Sequence, residues 1–166
     1  MTMSIALRID GRPVPKGSGE GTRQKRASYD HGVAGEWQQR LQLAFRRNRP
    51  REPWREGVQV DAVFYIPSEL KRMPGAQMLT PPDLDKLIRF VLDEAMGHFY
   101  VDDAQVTTSG LLDKRWAVDD DPEAAPGVLL MFTDLGRALP LLPDWARGLR
   151  NAIPELTGTT AARRVS

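Results

Sequence analysis

Cysteine is absent from all 166 residues, and histidine occurs only twice, as His31 and His98. Without cysteine the chain has no disulfide framework, no thiolate zinc site and no thiol nucleophile. Two histidines are too few for a histidine-rich metal centre. Long apolar runs are also missing: no stretch approaches the roughly 20 apolar residues of a membrane span. The first ten residues alternate apolar and polar side chains and lack the apolar core of about 7–15 residues that marks a signal peptide. These absences point to a protein of the reducing cytoplasm with no membrane partner.

An excess of one charge is lacking as well, because 23 Lys and Arg stand against 22 Asp and Glu, for a formal net charge of +1. The total conceals a division. Residues 1–55 hold 12 basic and 5 acidic residues, a net of +7, and residues 56–166 hold 11 basic and 17 acidic, a net of −6. Lys and Arg neutralise phosphates, and grouped carboxylates require a cation, so the division suggests a polyanion-binding surface beside a carboxylate cluster. The length suits one domain, since roughly 150 residues bury about 68–70% of the surface of the unfolded chain.

Ile5, Leu7 and Ile9 alternate with polar neighbours and predict a strand over residues 3–10, ended by Gly11 and Pro13. Residues 13–31 are rich in Gly, Lys and Arg without a hydrophobic period, which reads as a basic loop. Its Pro15-Lys16-Gly17-Ser18-Gly19 run is not a phosphate-binding P-loop, because the lysine precedes the glycines. Ala34, Trp37, Leu41, Ala44 and Phe45 recur at helical spacing over residues 33–48, with Arg46 and Arg47 at the basic C-terminal end. Val58, Val60, Ala62, Phe64 and Ile66 predict a second strand.

The strongest helical stripe is Leu84, Leu87, Ile88, Val91, Leu92, Ala95 and Met96, with Asp83 as its N-cap and Gly97 as its end. Residues 105–116 and 127–132 read as two more strands, separated by a solvated acidic turn at Asp119-Asp120-Asp121. From Thr133 the chain reads as a C-terminal extension, residues 133–166, with a short helix near Asp144–Arg150. The order β-α-β-α-β-β predicts a small single α/β or α+β domain over residues 1–132, with a mixed sheet and two main helices. Trp37, Phe45, Phe64, Phe90 and Trp116 fall on apolar stripes and read as core or dimer contacts. Phe99 and Tyr100, beside an acidic pair, read as core or as a wedge at a nucleic-acid branch.

Asp83 and Asp85 begin the second helix, and Asp102 and Asp103 follow it. Each has an ordinary reading, as an N-cap, as a first-turn acid favoured by the helix dipole, or as a solvated turn. Together, three or four carboxylates suit a hard cation such as Mg²⁺, which takes oxygen ligands and is commonly shared with substrate phosphates. The predicted helix is roughly 20 Å long, at 1.5 Å per residue, so the two pairs meet only if the chain returns beside it.

Pro82-Asp83-Leu84-Asp85-Lys86-Leu87, followed by Tyr100-Val101-Asp102-Asp103-Ala104-Gln105-Val106, closely resembles the paired motif of the RusA family of Holliday junction resolvases, many of them encoded by phages and prophages. Gly11-Arg12-Pro13-Val14-Pro15-Lys16-Gly17 is similar to the family's N-terminal signature, and the resemblance runs over about residues 3–132. It implies a RusA-like fold and a homodimeric endodeoxyribonuclease that uses Mg²⁺, with Mn²⁺ able to substitute, to cut four-way DNA junctions by paired symmetric nicks in recombination and repair. By position, Asp83, Asp85 and Asp103 match the family's catalytic, metal-binding aspartates, with Asp102 adjacent as a further metal ligand. Lys86 departs from the family pattern, and Arg89 stands where the family has its catalytic lysine. Arg89 keeps the charge, as a catalytic residue acting by electrostatics, but it does not release a proton at ordinary pH. That replacement leaves open a second reading, a catalytically impaired protein that binds branched DNA. Lys16, Arg23, Lys25 and Arg26 of the basic loop, Arg40, Arg46 and Arg47 of the first helix, and Lys86 are the expected contacts to DNA phosphates.

Overall fold

The computed structural model describes residues 2–17, 31–67, 78–118 and 125–137. Strand β1 (Met3–Asp10) leads to helix α1 (His31–Asn48), strand β2 (Gly57–Ile66) and helix α2 (Leu84–Ala95). A single 3-10 turn at Asp103–Gln105 then precedes strands β3 (Val106–Thr108), β4 (Leu112–Trp116) and β5 (Gly127–Gly136). Among the described residues this is one small α+β domain with a mixed five-stranded sheet and two α-helices, as the order of elements predicted.

The sheet runs β1-β5-β2-β3, with β4 also paired to β2. β5 lies antiparallel between β1 and β2, whereas β3 and β4 lie parallel to β2. The segment predicted as one strand over residues 105–116 is therefore two strands laid in succession along one edge of β2. Asp61 is the physical reason for the break. Its Oδ1 accepts the Gly110 and Leu111 amides at 2.7 and 2.6 Å, which draws those two residues out of the ladder. Pairing resumes where the Ala62 amide donates to the Leu111 carbonyl. β5 continues to Gly136, four residues into the segment that its prolines marked as an extension, with Thr133 and Asp134 paired to both neighbouring strands.

Both helices cover one face of the sheet. Trp37, Leu41 and Phe45 of α1 and Leu87, Val91 and Ala95 of α2 are buried at i, i+4 and i+8, the stripe a packed helix presents. They meet Val58, Val60, Ala62 and Phe64 of β2 and Val128, Leu130 and Phe132 of β5. Beyond α2, Phe99 stacks on Phe132 with ring centroids 4.1 Å apart, and Phe45 meets each of them edge to face at 5.4 and 5.9 Å. Phe99 and Tyr100 are fully buried, and the Tyr100 hydroxyl donates to the Leu92 carbonyl at 2.7 Å, which rules out a wedge into DNA in this conformation. Gly127 sits where a Cβ would lie 2.4 Å from the Ile9 carbonyl oxygen, so the β1–β5 ladder closes only on a glycine.

Candidate active site

The first turn of α2 carries one acidic pair. Asp83 occupies the N-cap position with an extended backbone, but its carboxylate makes no capping hydrogen bond. It accepts instead from the Lys86 ammonium at 2.8 Å. That contact holds the Asp83 carboxyl below its ordinary value and the Lys86 ammonium above its own. Asp85 is exposed in the first turn, where a negative charge suits the helix dipole. Because Leu87, Val91 and Ala95 face the core, Asp85 and Arg89 share the outward side at i, i+4 spacing. Arg89 is exposed and makes no ion pair with any described residue.

The second pair follows the other end of α2. The helix closes at Ala95, and Gly97 adopts a φ of +80° in the turn that follows, with its amide donating to the Tyr100 carbonyl. Asp102 caps the 3-10 turn by accepting the Ala104 amide at 2.8 Å. Gln105 returns the favour through its Oε1, which accepts the Val101 and Asp102 amides. Its Nε2 donates to the Trp54 and Glu56 carbonyls, tying the turn to the chain that enters β2. Asp103 is exposed, and its carboxylate has no hydrogen-bond partner among the described residues. Asp85 and Asp103 are thus the two carboxylates of the motif with no hydrogen bond or ion pair among the described residues, while Asp83 and Asp102 are held by local partners.

The two pairs do not meet within one chain. The 12 residues of α2 rise about 18 Å between them. The sheet measures the same separation independently. The Thr80 and Pro82 carbonyls before Asp83 are held by Lys114, which faces Phe64, whereas the turn at Asp103–Gln105 leads into Val106, which faces Val58. Six residues of β2 separate those levels, roughly 20 Å at about 3.3 Å per residue. Among the described residues no group of three acidic or histidine side chains is placed to hold a metal ion.

The expected DNA contacts divide in the same way. Lys16 reaches Asp93 of α2 in an ion pair, and its backbone amide donates to the Lys86 carbonyl at 2.9 Å, so residues 11–17 strap the helix. Arg40 pairs with Glu36 at 2.7 Å, and Lys86 is committed to Asp83. Arg46 and Arg47 are exposed at the end of α1 without an ion pair among the described residues. Burial first, and then the nearby charges of Arg49 and Arg46, disfavour protonation of His98, which puts the basic end of α1 on the same end of the molecule as Asp102 and Asp103. Arg23, Lys25, Arg26, the acidic turn at residues 119–121 and the extension from residue 138 lie outside the described residues.

Two residues that shape the site carried no assigned role in the sequence reading. Gln105 had a local signal, since an acid followed three residues later by Gln is a capping-box pattern. Lys114 had none, because its carbonyl partners are 32 and 34 residues away. The family model for endodeoxyribonuclease RusA matches residues 10–122, which contain both acidic pairs, and the chain belongs to this family. No curated protein matches the chain. Membership implies a junction-resolving endonuclease that binds DNA. No helix among the described residues is long and apolar enough to cross a membrane.

Proposed function

We propose that this chain is a Mg²⁺-dependent endodeoxyribonuclease that resolves four-way DNA junctions by paired symmetric nicks, working as a homodimer. The observation that carries the reading is the family match across both acidic motifs, with Asp85 and Asp103 exposed and without a hydrogen bond or ion pair among the described residues. The donor set suits the ion, since carboxylate oxygens are the ligands a hard divalent cation takes. Among the described residues, however, a single chain brings no more than one pair of the motif's aspartates to each end of α2. A second copy supplies what is missing: Asp83 and Asp85 of one subunit meet Asp102 and Asp103 of the other. Under two-fold symmetry one such contact generates two equivalent sites, which is what two matched nicks require. Exposed apolar side chains near each pair support such an interface, with Leu79 at 89% exposure four residues before Asp83 and Val101 at 53% just before Asp102.

The bound cation would lower the pKa of a ligated water and neutralise charge on the scissile phosphate. The chain's own residues do the rest. Arg89, on the side of α2 that carries Asp85, stabilises negative charge that builds on the phosphate during cleavage. Arg46 and Arg47 hold neighbouring phosphates, contacts that position DNA without reading its sequence. Arg89 in place of the family's lysine also favours the second reading, a junction-binding protein with impaired catalysis.

The test is incubation of the protein with a synthetic four-way junction, with and without Mg²⁺. Metal-dependent paired nicks that disappear in Asp83→Asn, with junction binding retained, support the enzyme. Binding without cleavage, with nicking gained in Arg89→Lys, supports the impaired form. Neither binding nor cleavage would overturn both.

A further inference from the structure

We infer that Lys114 is a positioning residue for the Asp83-Leu84-Asp85 segment, its ammonium holding the Thr80 and Pro82 carbonyls so that both aspartates enter α2 from one set place. The inference deepens the nuclease reading and rests on it for its catalytic consequence. Lys114 is half-buried on β4 opposite Phe64. Its Nζ donates to the Thr80 carbonyl at 2.9 Å and to the Pro82 carbonyl at 2.8 Å. The Pro82 carbonyl is bonded to the Asp83 nitrogen, so this tie acts one residue from the first aspartate.

The local chain explains why an outside donor is needed. Pro81 and Pro82 have no amide hydrogens, so the segment entering α2 has few donors with which to close its own turn. An ammonium has three donors and no acceptor, and it can satisfy two carbonyls at once. By binding backbone and not carboxylate, Lys114 leaves the oxygens of Asp83 and Asp85 to other partners. Asp83 takes Lys86 as its ion-pair partner, and the Lys114 charge acts on it from farther away. The arrangement ties the acidic pair to the sheet from its N-terminal side, beside the Lys16 amide that holds the Lys86 carbonyl. Groups that orient ligating carboxylates in this way typically change metal affinity or activity by about 10–100-fold when removed.

The experiment compares wild type, Lys114→Met and Lys114→Arg by three readouts: junction cleavage in Mg²⁺, calorimetric titration with Mn²⁺ alone, and amide hydrogen exchange across residues 84–88. Lys114→Met is expected to lose roughly 10–100-fold in cleavage and in Mn²⁺ affinity. It should also exchange several-fold faster at residues 84–88 only, with junction binding in the absence of metal preserved. Lys114→Arg, which restores charged donors, recovers most of each loss. Wild-type cleavage and wild-type exchange in Lys114→Met would overturn the inference. If wild type itself neither cleaves nor binds Mn²⁺, the nuclease reading fails, and the exchange at residues 84–88 still decides whether Lys114 holds the segment. Should Lys114→Met not fold, Lys114→Ala, which removes the donors and leaves room for water beside the two carbonyls, takes its place under the same criteria.

Discussion

The Lys86 ammonium stands 2.8 Å from the Asp83 carboxylate one helical turn away, and the carboxylate faces this partner and leaves the α2 amides uncapped. The pair is exposed, so its strength is modest and screened by salt. A divalent cation arriving at Asp83 competes with this ammonium. Lys86→Met is therefore expected to bind Mn²⁺ up to about fivefold more tightly, the scale of one exposed ion pair. It should also bind the junction less well at moderate salt. Calorimetry and gel shift measure the two effects, and an unchanged Mn²⁺ affinity would show that Lys86 does not compete.

Separation of the acidic pairs along α2 makes mixed dimers informative. Asp83→Asn and Asp103→Asn homodimers should both be inactive. A heterodimer of the two has one site carrying both substitutions and one carrying neither, if each site draws on two subunits. Mixed preparations should then regain single nicks without paired ones. If each chain held its own complete site, every site in the mixture would carry a substitution and no activity would return.

Asp61 is 8% exposed and accepts the Gly110 and Leu111 amides together with the Gln59 side chain. Asp61→Ala leaves two poorly hydrated amides without a partner and is expected to cost about 1–3 kcal/mol. Asp61→Asn, which keeps an acceptor oxygen, should cost less. Urea unfolding measures both, and a wild-type midpoint for Asp61→Ala would show that the β3–β4 break is held by other contacts.

His98 links the helices through pH. Gln42 gives its Nε2 to Glu94 at 2.5 Å, so its Oε1 accepts from His98 Nε2 at 3.0 Å. His98 Nδ1 is buried with no partner among the described residues. A proton there would be stranded, and burial followed by Arg49 and Arg46 pushes the imidazole below its ordinary 6.5. The unfolded chain thus takes up this proton at higher pH than the folded one, so stability is full above about 6.5 and falls as pH drops through the folded value. His98→Gln should flatten this loss between about pH 7 and pH 5, as read from thermal midpoints. Parallel pH profiles in both proteins would remove His98 as the cause.

Much of this was legible along the chain. The alternation of Ile5, Leu7 and Ile9 located β1 at residues 3–10, and the Leu84-to-Met96 stripe located α2 to within a residue, because strand and helix periods are written in neighbouring positions. The acidic motifs were legible for the same reason, whereas the role of Asp102 as cap of a 3-10 turn closed by Gln105 emerged only with the fold. The split between β3 and β4 was not, because Asp61 imposes it from 49 and 50 residues away. The Asp83 side chain left its capping role for Lys86, a choice that rests on competition between partners and not on propensity.

The sequence by itself determined the first four elements, the family and the identity of the acidic residues, since each depends on spacings of a few positions. Only the tertiary structure decided that Asp85 and Asp103 are the carboxylates without a hydrogen-bond partner among the described residues, that Lys114 anchors the turn before Asp83, and that the chain does not return to bring the two pairs together. Those outcomes follow from packing a rigid helix along a strand, which sets distances between residues that no local pattern encodes.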